Sequence, residues 1–294
     1  MIEFTVSKMP SLVRSYFRLL SRTMRKKNSS CLNLPDLYVS MENVKIDKSN
    51  LMLYRKLTGY DDDGKVPVFY PHALAAPLYM FMLSQKDFPL SLIGALHLKN
   101  RIISYRPIYE SESFDVAVRL GKSRIVRTGI EFDFSVEFLQ KDKILWQGIT
   151  TWFKRGNFLQ SNEDLSRFET LSPIENGNHF CDLDIPNDIG RKFARVTGDY
   201  NPIHISPLMA KLFGLKKNIA HAMWFCASLG RRFYHFRHFK NDTPSQIDLA
   251  FKGPLFVGSR ASVVLQEIDK GIRFDAYCHG NTKPCINGFI GILY

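Results

Sequence analysis

Residues 193–204 read Phe-Ala-Arg-Val-Thr-Gly-Asp-Tyr-Asn-Pro-Ile-His, and residues 54–60 read Tyr-Arg-Lys-Leu-Thr-Gly-Tyr. Both stretches bring a short amphipathic helix to an end at Thr-Gly, glycine being the residue type that closes a helix in the left-handed conformation. A His-Ala pair then opens an apolar helix in each case, Pro71-His72-Ala73 in the first and Ala220-His221-Ala222 in the second. The echoes continue downstream. Arg106-Pro107-Ile108 ahead of Phe114 to Val118 answers Gly253-Pro254-Leu255 ahead of Ala261 to Leu265, and Gln147-Gly148-Ile149 answers Asn287-Gly288-Phe289. One such match could be chance; the shared order marks an internal duplication.

Within each copy the downstream segments alternate with period two. Ile130, Phe132, Phe134, Val136 and Phe138 interleave with Glu131, Asp133, Ser135 and Glu137, which predicts a half-buried antiparallel strand turning at Gln140 to Lys143. Asp269-Lys270-Gly271 and Asn281 to Pro284 are the matching turns of the second copy. A helical section followed by antiparallel strands, twice over, predicts an α+β architecture. The boundaries follow: a basic amphipathic leader over 1–35, a first unit over 36–155, a connector rich in Asn, Ser, Glu and Gly over 156–180, and a second unit over 181–294.

With 45% hydrophobic and 23% charged residues, the chain has enough apolar side chains to fold as a globular protein instead of remaining disordered. Its longest nearly unbroken apolar run, Ala73 to Leu83, is about half the ~20 residues that span a bilayer, so no transmembrane helix is expected. Cys31, Cys181, Cys226, Cys278 and Cys285 are scattered, with no C-x-x-C pair. That pattern predicts neither a disulfide framework nor a zinc site, and fits a reducing, cytoplasmic setting. Half of the net charge of +12 sits in the leader, where Lys8, Arg14, Arg18, Arg22, Arg25, Lys26 and Lys27 face only Glu3. Leu12, Val13, Tyr16, Phe17, Leu20 and Met24 recur there at helical spacing, as in a helix docked on the body or one making peripheral membrane contact through residues 8–27. No nucleic-acid-binding motif accompanies the charge.

The copies differ in one place. Twelve residues separate Gly59 from His72, whereas 22 separate Gly198 from His221, and the excess holds Asp199-Tyr200-Asn201-Pro202-Ile203-His204. Asp188 is expected to cap the helix that Gly198 ends. Pro202 is expected to keep the loop extended, and Ser206-Pro207 to start a further helix that reaches Phe213 and stops at Gly214. Asp199 and His204, five residues apart on a stiff loop, could then converge on one water. The helix opening near His221 presents unpaired amides able to polarise a thioester carbonyl and stabilise the oxyanion formed on water addition. His221 itself reads as a helix-start residue. His235 and His238, beside Arg231, Arg232 and Arg237, read as a solvated basic face and not as metal ligands, and no cofactor is expected. Tyr60 stands where the first copy would need its aspartate, which predicts loss of chemistry there.

At Phe193, Thr197, Gly198, Asp199, Asn201, Pro202, Ile203, His204 and Ala210 the chain resembles the hydratase-2 signature of the MaoC-like (R)-specific enoyl-CoA hydratases. The resemblance implies a double hot-dog fold whose first unit has lost its catalytic loop and helps shape an acyl tunnel. It also implies a hydro-lyase that interconverts trans-2-enoyl and (3R)-hydroxyacyl thioesters, His204 drawing a proton from a water held with Asp199 while the carboxyl side delivers one to carbon. Asn201 would fix the loop, and Gly198, His221 and Ala222 would help position the substrate. Where the family usually has Ile-Ala-His-Gly-Met, this chain has Ile219-Ala220-His221-Ala222-Met223, a methyl in place of hydrogen beside the oxyanion amide. Coenzyme A and acyl carrier protein thioesters both suit the basic surface as substrates, and a homodimer is compatible with the fold. The competing readings are a non-catalytic acyl-thioester-binding protein and a hot-dog thioesterase.

Overall fold

The computed structural model describes residues 1–23, 34–91, 94–158, 172–234, 243–269, 271–278 and 280–293. Along the chain the elements are β1 (Ile2–Thr5), α1 (Leu12–Thr23), β2 (Leu37–Lys45), α2 (Lys48–Thr58), α3 (Tyr70–Leu83), β3 (Ala95–Ser104), β4 (Ser113–Val126), β5 (Gly129–Gln140) and β6 (Lys143–Arg155), then β7 (Asn178–Ile185), α4 (Ile189–Thr197), α5 (Pro202–Ile205), α6 (Pro207–Leu212), α7 (Ala222–Phe233), β8 (Ser245–Phe251), β9 (Ser259–Ile268), β10 (Gly271–Cys278) and β11 (Ile286–Ile292).

The duplication is visible in the sheet. Its strands run β1-β2-β4-β5-β6-β3-β8-β11-β10-β9-β7, so that, β1 aside, the order read inward from either edge is equivalent: β2-β4-β5-β6-β3 from one side and β7-β9-β10-β11-β8 from the other. The halves join where β3 and β8 pair antiparallel from Lys99↔Ala250 to Ser104↔Ser245, and Arg101 reaches Asp248 across that seam at 2.5 Å. This is the double hot-dog arrangement, an α+β fold with one long helix, α3 or α7, against each half of the sheet.

The buried face follows the alternation. Ile130, Phe132, Phe134, Val136 and Phe138 of β5 are fully buried, as are Ala75, Leu78 and Met82 of α3. In the second half Phe225, Ala227 and Leu229 of α7 are buried, with Phe233 of α7 at 5.4 Å from Phe274 of β10. Each buried Phe or Leu contributes roughly 1.5–3 kcal/mol, which makes this double layer the main source of stability. The outward set of β5 departs from plain alternation at Glu131. That carboxylate is buried and held by Arg124 at 2.7 Å, the guanidinium also reaching Asp133 at 2.8 Å.

Several local expectations are corrected. Asp188 stands at the first cap position of α4, but its backbone (φ −101°, ψ 0°) turns the carboxylate away from the amides, and it pairs with Lys192 at 2.7 Å instead. The segment after Asn201 is not extended: Pro202 opens the one-turn helix α5, because only the residue before a proline is forced out of helical geometry, and Asn201 (ψ 125°) absorbs that restriction. α6 begins at the expected Ser206 cap but ends at Leu212. The last residues of the expected connector already belong to β7. The described part of the basic leader is built into the body: β1 pairs in parallel with β2, Phe4 meets Phe81 edge to face at 5.4 Å, and α1 packs on α3. Among the described residues no helix is long and apolar enough to cross a membrane, and Cys181, Cys226, Cys278 and Cys285 are free thiols. Cys31, His235 and His238 lie outside the described residues.

Candidate active site

The site is built on the end of α4. Thr197 donates its hydroxyl back to the Phe193 carbonyl at 3.1 Å, and Gly198 (φ 70°) closes the helix with its N–H on the Ala194 carbonyl. The chain then reverses, and the Asp199 amide bonds to Thr197 Oγ1 at 3.2 Å. Asp199 Oδ1 accepts the Asn201 N–H at 3.1 Å, and the Asn201 side chain accepts the Ile203 N–H at 3.4 Å as the cap of α5. The turn is thereby locked before any catalytic geometry is considered.

His204, on α5, is fixed from behind. The Asn218 amide donates to its carbonyl at 3.3 Å, and Gly190 of α4 comes so close to that carbonyl that a Cβ at position 190 would overlap it. Its ring Nδ1 lies 2.9 Å from the Ile219 carbonyl, which can only accept, so Nδ1 carries a hydrogen and the lone pair of the neutral imidazole is the one on Nε2. That Nε2 faces Asp199 Oδ2 at 3.8 Å. His221, the residue before α7, stacks on His204 with ring centroids 3.8 Å apart, and its Nε2 lies 3.0 Å from the Asp199 backbone carbonyl and 3.5 Å from Oδ2. The carbonyl again dictates the tautomer: His221 Nε2 is a donor.

Exposure grades across the group, the side chains of Asp199, His204 and His221 being 43%, 11% and 6% exposed. Desolvation pushes the Asp199 carboxyl upward, but His221, His204, the Asn201 N–H and the Tyr16 hydroxyl outweigh it and hold the group below its ordinary value, as the carboxylate. Burial, reinforced by His204, drives His221 down to about 3, so it stays neutral at physiological pH. Nitrogen and oxygen atoms of Asp199, His204 and His221 lie within 4.8 Å of one another, a spacing that admits a divalent ion. His221 Nε2 could ligate only by giving up its bond to the Asp199 carbonyl, and that disfavours a metal here.

The structure thus brings Asp199, Asn201, His204 and His221 together, with Gly198 ending the helix just before them and Ala222 opening α7 just after. The first amides of α7, at Ala222 and Met223, have no acceptor within the helix and stand immediately after His221. Two contributions were not read from the sequence. Tyr16 of α1 donates its hydroxyl to Asp199 Oδ1 at 3.3 Å, and nothing local to residue 16 signals that meeting. His72 and His97 come from the first unit, 5.6 Å apart and stacked; desolvation lowers them to about 4 and about 3, while the charge of Asp199 acts on both in the opposite sense. The one sequence signal for His72 was its place as the counterpart of His221. A small cavity lined by Val68, Phe69, Gly230, Phe233, Tyr234 and Ile247 lies beside Tyr60 and shares no lining residue with the Asp199 group.

Comparison with known proteins gives the family. The family described as "MaoC like domain" matches residues 174–286, which take in most of the second unit. The 3-hydroxyacyl-thioester dehydratase X of Mycobacterium tuberculosis is 33% identical over 196 residues, 67% of this chain and 69% of that protein. A crystal structure of HtdX from the same organism superimposes with a TM-score of 0.74 at 27% identity, covering 87% of this chain and 100% of that one. A MaoC-like dehydratase from Phytophthora capsici shares the fold at 17% identity, with a TM-score of 0.74 over 90% of this chain and 97% of that one. By sequence and by fold, the chain belongs to the MaoC-like dehydratases.

Proposed function

We propose that the chain interconverts trans-2-enoyl and (3R)-hydroxyacyl thioesters by adding or removing water at Asp199 and His204. One observation carries the reading: a carboxylate oxygen and an imidazole lone pair, both acceptors, face each other at 3.8 Å. Two acceptors have no bond to make with each other, but a water placed about 2.8 Å from each can donate one hydrogen to each. In the hydration direction, His204 Nε2 takes one of these protons as the water oxygen bonds to C3. Electron density moves onto the thioester oxygen, which the first amides of α7 stabilise. The proton returns across the Asp199 carboxyl to C2 on the same face, so that OH and H are both supplied by the water and the addition is syn. The lowered Asp199 carboxyl is a weak base and His221 commits its Nε2–H to the Asp199 carbonyl, which assigns the first proton to His204.

The test is an assay with trans-2-enoyl thioesters of coenzyme A and of acyl carrier protein, followed by loss of the conjugated enone absorbance and by the chirality of the product. Turnover with one carrier preferred is the expected result. No turnover with either, at short or long chain length, would leave a thioester-binding protein, and release of free thiol would indicate a thioesterase. The outer face of α1 exposes Val13 and Phe17 next to Arg14 and Arg18, which supports peripheral contact with an anionic membrane. Co-sedimentation with anionic but not neutral vesicles is expected, and equal partition with both would sink that contact.

A further inference from the structure

α1 is the roof of the candidate active site. Leu12 packs so closely on Gly198 that a Cβ at position 198 would run into it, Ser15 is buried, and Leu19 packs against the core. The helix thereby bridges the halves of the molecule, resting on α3 of the first unit and on the Gly198–Asp199 turn of the second. Tyr16 lies between those contacts with its hydroxyl on Asp199 Oδ1.

The two oxygens of Asp199 are consequently unequal. Oδ1 accepts from the Asn201 N–H at 3.1 Å and from the Tyr16 hydroxyl at 3.3 Å, whereas Oδ2 faces the imidazoles of His204 and His221. The Asn201 N–H alone leaves the carboxylate free to swing about its χ2 bond; a second donor from a different element pins it. We propose that Tyr16 is a positioning residue of the hydration site, its hydroxyl holding Asp199 by Oδ1 so that Oδ2 stays directed at the reacting water. This rests on the reading of Asp199 given above and adds a participant 183 residues away from it. Burial and the charge of Asp199 raise the phenol above its ordinary value, so it remains a donor throughout the working pH range.

The groups facing Asp199 are Tyr16 from α1, the Asn201 N–H and His204 from the α5 turn, and His221 ahead of α7, with His72 of α3 and His97 of β3 acting at longer range. Of these, only Tyr16 can be altered without touching the catalytic turn or the core. In full-length Tyr16→Phe the ring still fills its place, so thermal stability should be close to wild type. Loss of a hydrogen bond to a charged acceptor should lower kcat roughly tenfold with little change in KM. Because the hydroxyl helps keep Asp199 ionised, the acidic limb of kcat/KM should move to higher pH. The same inflection, followed by NMR through the imidazole signals of His204 and His221, needs no turnover and should move in the same direction. An unchanged pH profile and inflection, with or without a loss of stability, would make Tyr16 merely structural, and a faster Tyr16→Phe enzyme would make α1 an obstacle; either overturns the proposal. Asp199→Asn run in parallel separates the failures. If it keeps wild-type activity, the site reading falls and Tyr16 falls with it; if it is inactive while Tyr16→Phe is unaltered, only the role of Tyr16 is lost.

Discussion

The two units build the same helix end and then use it differently. Thr58 and Thr197 each bond back to the carbonyl four residues earlier, at 2.7 and 3.1 Å, and Gly59 and Gly198 both take up the left-handed conformation at φ 83° and 70°. After Gly59 comes Tyr60, buried against Tyr234 with ring centroids 5.6 Å apart; after Gly198 comes Asp199, half-exposed and facing two imidazoles. The divergence begins earlier, inside the helix. Aligned on those glycines, Gly190 of α4 corresponds to Leu51 of α2. Leu51 is fully buried, whereas Gly190 leaves room for the His204 carbonyl. One copy filled the space with a side chain and the other with the turn that carries Asp199 and His204. The difference teaches that a duplicated scaffold can be kept whole while only one copy makes room for an inserted turn bearing a carboxylate and an imidazole.

That contrast can be broken most decisively at the turn itself. Asp199→Asn or His204→Ala should lower the rate by about 10³-fold or more, while Tyr60→Phe should leave it within about twofold. Steady-state kinetics on a trans-2-enoyl thioester decides, and comparable losses at positions 60 and 199 would mean that the first unit is not silent. The helix pair gives the next effect. Gly190→Ala should displace His204 and cost about 10²-fold in kcat, whereas Leu51→Ala should cost about 2–5 kcal/mol of stability with the catalytic constants retained. Denaturant unfolding and kinetics on both variants would expose the opposite pattern if the alignment misassigns these roles.

A smaller effect sharpens the comparison through pH. His72 and His221 open equivalent helices and, with His97, are held neutral by desolvation, at about 4, 3 and 3 against an ordinary value near 6.5. A depressed folded-state value means that the unfolded chain binds the proton more readily. The stability linked to these groups is therefore complete above about pH 6.5 and is lost as pH falls towards 4 and 3. Thermal unfolding should show a falling Tm over that window, less steep in His97→Gln. A Tm that stays flat from pH 7 to 4 would contradict the burial of these rings.

Much of the molecule could be read locally. The duplicated Thr-Gly turn, the period-two strands and the hairpin at 140–143 are set by backbone preferences of adjacent residues, and Lys141 and Asp142 do take positive φ at that hairpin. The ten-residue excess also marked where Asp199 and His204 would lie. Local rules failed where a neighbour in space decided the outcome. Asp188 has the right residue type for a cap but found Lys192, and the outward-facing Glu131 was drawn in by Arg124.

What the sequence determined by itself was the repeat, the element types and the segment carrying the carboxylate and imidazole, because periodicity and dihedral preference act over a few residues. Tertiary structure alone decided that Tyr16 meets Asp199, that Gly190 admits the His204 carbonyl, and that the Ile219 and Asp199 carbonyls set which nitrogen of each imidazole carries the hydrogen. Such meetings depend on how distant elements pack, and no short-range pattern encodes them.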